Sequence, residues 1–223
     1  MLALIIRRFI QSIVVMLVVA LIAFTLFRYV GDPVAMMVGQ ETSLIERAEM
    51  RDRLGLNDPV PVQFATFVLN TLQGKFGISF QIGRPVAELL AERLPATLEL
   101  SFVAALFSLF AGIPMGVYTA LFPERWLSNI LLTVSLLGIA LPTFLIGILL
   151  ILLFGVVLGW LPTFGRGEVV QLGWWSTGFL SASGWQSIIM PAFTLGMFQL
   201  TLIMRLVRSE MLEVLRTDYI KFA

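Results

Sequence analysis

The chain has 223 residues, of which 58% are hydrophobic and 13% charged, with a formal net charge of +1. Soluble domains are about 45–50% apolar and about 25% charged, so water is not the main solvent here, and so small a net charge offers no field to gather nucleic-acid phosphates. The absence of cysteine and histidine excludes disulfides, thiolate or imidazole catalysis and the usual zinc ligand sets; no metal, cofactor or catalytic residue is expected.

Residues 1–8 carry Arg7 and Arg8 ahead of a first apolar run, 9–30, long enough to cross a bilayer at 1.5 Å rise per residue. Its apolar core exceeds the about 7–15 residues of a secretory signal, so an uncleaved anchor is expected. The segment 31–97 reads as an external region with helices of its own. Ser43 and Glu46 have the spacing of a capping box, apolar positions recur through Leu44, Ala48 and Leu54, and Gly55 suits a C-terminal cap. Asn57-Asp58-Pro59 then turns the chain, and Pro61 can open a second short helix carrying Phe64, Phe67, Val68 and Leu72 up to Gly74. Gly74-Lys75 lacks the upstream glycine of a phosphate-cradling loop, so ATP hydrolysis is expected on another chain and this chain is not expected to be an enzyme.

Three more runs have spanning length: 98–122, 130–158 and 188–207. Gly112 and Gly116 flank Pro114 in the second, a spacing that lets another helix approach closely while the proline frees a backbone carbonyl. Pro142, near the middle of the third run, predicts a kink, tilt or break. Together with Gly138, Phe144 and Gly147 it marks irregular backbone that can line a path. On these grounds Pro142, Phe144, Gly112 and Gly116 are candidate translocation-path residues. No ionisable residue falls near a predicted midplane; Arg28, Glu99 and Arg205 lie near span ends, where long side chains can snorkel. The loop 159–187 holds Trp160, Trp174, Trp175 and Trp185 but only Arg166 and Glu168 as charges, a composition expected of interfacial anchoring.

Arg7 and Arg8, Arg125 in the short loop 123–129, and Arg205, Arg208 and Arg216 all favour the cytoplasm. With four crossings, this places both termini inside. The stretch 208–223 is amphipathic, with Leu212, Leu215, Tyr219 and Phe222 at helical spacing on one side and Glu210, Glu213 and Lys221 on another. Its acids nearly balance its bases, which points to a protein partner in preference to a lipid surface. A membrane-anchored sensor with an external ligand-binding segment is the alternative to a transporter on these grounds.

Several motifs resemble one family from end to end of the chain: Gly31-Asp32-Pro33, Leu54-Gly55-Leu56, Phe76-Gly77-Ile78-Ser79, Leu94-Pro95-Ala96-Thr97-Leu98-Glu99-Leu100, Leu141-Pro142-Thr143-Phe144, Leu158-Gly159-Trp160-Leu161-Pro162 and the closing Arg205 to Tyr219. The chain resembles the B-type inner-membrane permease subunits of dipeptide/oligopeptide-type ABC importers. The resemblance implies an all-α polytopic helix bundle of the type I importer kind, with four transmembrane helices in this chain of an expected six, the others lying beyond Ala223. It further implies a bacterial inner-membrane location, a second homologous permease subunit, two ATPase subunits and a soluble substrate-binding protein, with peptides or similar small solutes as cargo. Glu213, Leu215, Asp218, Tyr219 and Ala223 match the start of the family's ATPase-coupling region. Lys75 departs from the family, which usually has an acidic residue there.

Overall fold

The computed structural model describes residues 2–30, 34, 43–53, 55–79 and 82–217. It divides into two units, Met1–Leu90 and Ala91–Ala223.

In the first unit α1 covers Leu2–Val30, with a span-length apolar stretch at Ala3–Leu26. Arg7 and Arg8 therefore lie within the helix and not ahead of it: Leu, Ala and Ile upstream propagate a helix without a stop signal. α2 (Leu44–Arg53) opens on the expected capping box, in which the Glu46 amide donates to Ser43 Oγ (3.3 Å) and the Ser43 amide to Glu46 Oε2 (3.1 Å). It closes on a Schellman motif, with Gly55 at φ +66° and the Leu56 amide reaching back to the Arg51 carbonyl at 3.0 Å. α3 (Val60–Leu72) has Pro61 in its first turn and ends the same way, with Gly74 at φ +74° and the Lys75 amide on the Asn70 carbonyl at 2.8 Å. Gln63 bridges the turn between them, its side-chain amide donating to the Leu56 and Asp58 carbonyls. α3 packs on α1 through Phe24, whose ring lies 5.6 Å from Phe64 and 5.9 Å from Phe67.

The second unit is built around its last helix. α4 (Val86–Leu121), most of which belongs to this unit, begins well before 98, since Pro95 is accommodated inside it, as is Pro114 further on. α5 (Trp126–Ala140) follows a turn closed by the Ser128 hydroxyl on the Phe122 carbonyl. α6 (Thr143–Leu150) runs into a π-helical segment, Ile151–Val157. Between α5 and α6 the axis bends by 108°. The cause is local: Leu141, preceding a proline, is held extended (φ −95°, ψ 135°), and Pro142 (φ −57°, ψ 136°) starts the next helix. The run 130–158 is thus a broken pair of helices. Among the described residues, three helices are long and apolar enough to cross a membrane, or four with the bent pair as one span.

The Trp-rich segment is not wholly loop. β1 (Val170–Leu172) and β2 (Trp175–Thr177) form a two-stranded antiparallel hairpin. Its two-residue connection has positive φ at Gly173 only, the arrangement of a type II′ turn. α7 (Ala182–Leu215) then starts earlier than the run at 188, because Ser181 caps it by accepting the Gly184 amide at 3.0 Å.

α7 buries Met190, Ala192, Met197, Leu200 and Met204, and small residues bring its neighbours onto its backbone. A Cβ on Gly116 would lie 2.8 Å from the Met204 carbonyl oxygen, and one on Gly138 in α5 only 2.5 Å from that of Met197. Buried hydroxyls fill the seams. Ser108 Oγ lies 2.6 Å from the Ala104 carbonyl of its own helix and 3.0 Å from that of Gly196 in α7, while the Thr201 hydroxyl sits between the Met197 and Ser135 carbonyls.

Candidate functional site

α7 continues unbroken from its Ser181 cap past its apolar part to a charged end. There Arg205, Glu210 and Glu213 are exposed, while Arg208 and Leu215 are half-buried. The Nε of Arg208 is buried with no hydrogen-bond partner among the described residues. The helix stops at Leu215, although apolar spacing in the sequence continues to Phe222. The Arg216 amide bonds to the Glu213 carbonyl at 3.1 Å, and both the amide and the hydroxyl of Thr217 take the Val214 carbonyl. A threonine hydroxyl competing for backbone acceptors closes the turn in this way. Glu213 and Leu215 thus sit in the last turn of α7, and Asp218, Tyr219 and Ala223 lie outside the described residues.

The four path candidates have two different surroundings. Gly112 and Gly116 are buried where α4 meets α7, with Ile203, Leu200, Met204 and Val207 against them. Their smallness serves close helix approach. Pro142 and Phe144 are exposed at the break between α5 and α6, Phe144 to 69%.

A third constellation was not singled out from the sequence. Glu99 of α4, expected near a span end with its carboxylate reaching toward water, is instead 4% exposed. Its Oε2 accepts from Arg166 Nη2 at 3.4 Å and from the Gly178 amide at 3.2 Å, and its Oε1 accepts from Trp175 Nε1 at 3.3 Å. Arg166 also donates to the hydroxyl and the carbonyl of Ser176, each at 3.2 Å. A buried carboxylate is tolerated only when paired and hydrogen-bonded, and here every partner comes from the hairpin and its flanks. Beside it lies a cavity of about 190 Å³ lined in part by Ala96, Glu99, Arg166, Phe179, Ser187 and Pro191. A lone acid at the edge of an apolar run, with one arginine in an otherwise charge-poor loop, was the available signal, but the two are 67 positions apart.

The tryptophans separate by the same criterion. The indole N–H of Trp175 is taken by Glu99, and that of Trp185 by the Phe179 carbonyl at 3.0 Å. Trp174 and Trp160 are 71% and 65% exposed. The second pair is the more exposed, and its composition fits interfacial anchoring.

Residues 1–101 match the family described as the N-terminal part of the binding-protein-dependent transport system membrane component, and residues 112–223 match the binding-protein-dependent transport system inner membrane component. Among individual proteins, the chain is 37% identical to a protein of Brucella abortus (strain 2308) named as a peptide transport system permease. That alignment covers 100% of this chain and 69% of the relative. It is 34% identical to the glutathione transport system permease protein of Salmonella typhimurium (strain LT2), over 100% of this chain and 68% of the relative. The chain belongs to the binding-protein-dependent transport system inner membrane component family, and is a multi-pass membrane permease of the ABC importer kind.

Proposed function

We propose that this permease forms half of a pathway that moves peptides or similar small solutes across the bacterial inner membrane by alternating access. The other half is a second homologous permease; two ATPase subunits supply the energy and a soluble substrate-binding protein delivers the solute. The peptide and glutathione relatives support this class of cargo. The N-terminus and the charged end of α7 lie in the cytoplasm in this reading, which rests on the basic residues that flank the apolar runs in sequence, Arg7, Arg8, Arg125, Arg205 and Arg208.

The observation that carries the mechanism is the continuity of α7. A single helix joins the capped hairpin to the charged last turns, so a pull at Glu213 and Leu215 displaces the helix against which α4, α5 and α6 pack. ATP-driven closure of the partner ATPases supplies that pull and rocks the spans between outward and inward openings. Docking extends to Asp218, Tyr219 and Ala223, and Pro142 and Phe144 at the helix break face the solute.

In the transporter assembled with its partners, Leu215→Ala is expected to lower solute-stimulated transport by about tenfold, as loss of an apolar anchor does at an interface, with membrane insertion unchanged. Transport at the wild-type rate in this variant would overturn the docking assignment.

A further inference from the structure

The hairpin and its flanks, residues 165–181, are attached very differently to the two helices they touch. To α7 they are joined at several separate points. The Glu168 amide donates to Ser183 Oγ at 2.9 Å, the Trp185 indole N–H donates to the Phe179 carbonyl at 3.0 Å, and Phe179 stacks on Trp185 with ring centroids 5.0 Å apart. At two further points even a methyl group has no room. A Cβ on Gly184 would lie 2.1 Å from the Gly178 carbonyl oxygen, and one on Gly167, itself at φ +67°, 2.4 Å from the Ser183 carbonyl. To α4, by contrast, Arg166, Trp175 and Gly178 are all tied through the one carboxylate of Glu99, at 3.2–3.4 Å. Arg166 reaches it through a single nitrogen, and its side chain is 36% exposed, so water or another anion can compete for it. The cavity beside Glu99 is bounded by all three parts, α4, this cap and α7.

We propose that Glu99 is a positioning residue that latches the cap to α4: cap and α7 move as one body, and the cavity opens when that single carboxylate lets go. One buried acid then controls three contacts at once. The purpose of the movement rests on the transport reading above, in which α7 is the moving element, but its test does not.

The chain has no cysteine, so single reporters are clean. In the purified chain in nanodiscs, a small water-soluble maleimide is applied to Ser187→Cys, which reports on the cavity, and to Ser135→Cys, buried where α5 meets α7. Glu99→Gln, nearly the same in shape, is expected to speed labelling at position 187 about tenfold, the factor for one lost charge-assisted hydrogen bond, and to leave position 135 within about twofold. Arg166→Gln should give a smaller rise, since Trp175 and Gly178 still hold the carboxylate, and it decides the matter should Glu99→Gln not fold. No acceleration at 187 in the variant that folds, or an equal rise at both positions, would overturn the latch. A failed transport mechanism would appear instead as normal transport in Leu215→Ala and would leave these labelling rates as expected.

Discussion

Gly138→Ala tests whether the α5–α7 seam depends on backbone contact. The added Cβ would sit 2.5 Å from the Met197 carbonyl oxygen, 2.9 Å from its carbon and 2.7 Å from Thr201 Oγ1. No rotamer relieves such a clash, because the obstacle is largely backbone. Restoring an ordinary contact requires α5 and α7 to part by about 0.7 Å, and a gap of that size forfeits roughly a quarter to a half of each dispersion contact across the seam. Overpacking of this kind costs about 1–3 kcal/mol. The Thr201 hydroxyl, which bridges to the Ser135 carbonyl, adds about 0.6 kcal/mol when lost inside a membrane bundle. Against this, replacing glycine by alanine within a helix gains about 1 kcal/mol. The net expectation is a loss of about 0.6–2.6 kcal/mol. Gly147→Ala is the control: it lies on the neighbouring helix α6, but its Cβ would meet only Thr194, at 3.6 Å, so the propensity gain stands and the change is neutral or stabilising. Detergent-titrated unfolding in mixed micelles, followed by tryptophan fluorescence, measures both. Stabilities within about 0.5 kcal/mol of each other, the spread of substitutions that touch nothing important, would refute the contact argument.

Ser181→Ala removes the side-chain acceptor of the Gly184 amide and the donor to Glu168; a cost of about 1 kcal/mol is expected, seen as faster hydrogen exchange confined to the first turn of α7. Gly74→Ala is expected to lose about 1–2 kcal/mol for a different reason, since its Cβ would have no neighbour within 4 Å and the whole cost is the left-handed φ of +74°. Thermal unfolding of Gly74→Asn should recover part of that loss, because asparagine tolerates this conformation.

Features of the fold that depend on neighbours in sequence were legible. The Ser43 and Glu46 capping box, the terminal turns at Gly55 and Gly74 and the break at Pro142 each arise from a few consecutive residues whose dihedral limits or hydrogen-bonding reach decide the outcome. Helix lengths were less legible. α4 and α7 begin within segments that looked like loop, because Arg and Glu along 86–94 and the serines at 181–183 read as polar connectors, although neither prevents a helix that is capped or continued by an apolar run. Gly112 and Gly116 could be read as a packing pair, but their partner, the 200–207 stretch of α7, could not.

Membrane residence, the apolar helices and the family follow from the linear order of residues, because twenty consecutive apolar side chains and a string of local motifs need no folded context to be recognised. What holds the hairpin down was settled only in three dimensions. Glu99 meets Gly178 across 79 positions, and hydropathy at either site is silent about the other. Burial of a charge becomes tolerable only when distant donors converge on it, and that convergence is a property of how the helices pack.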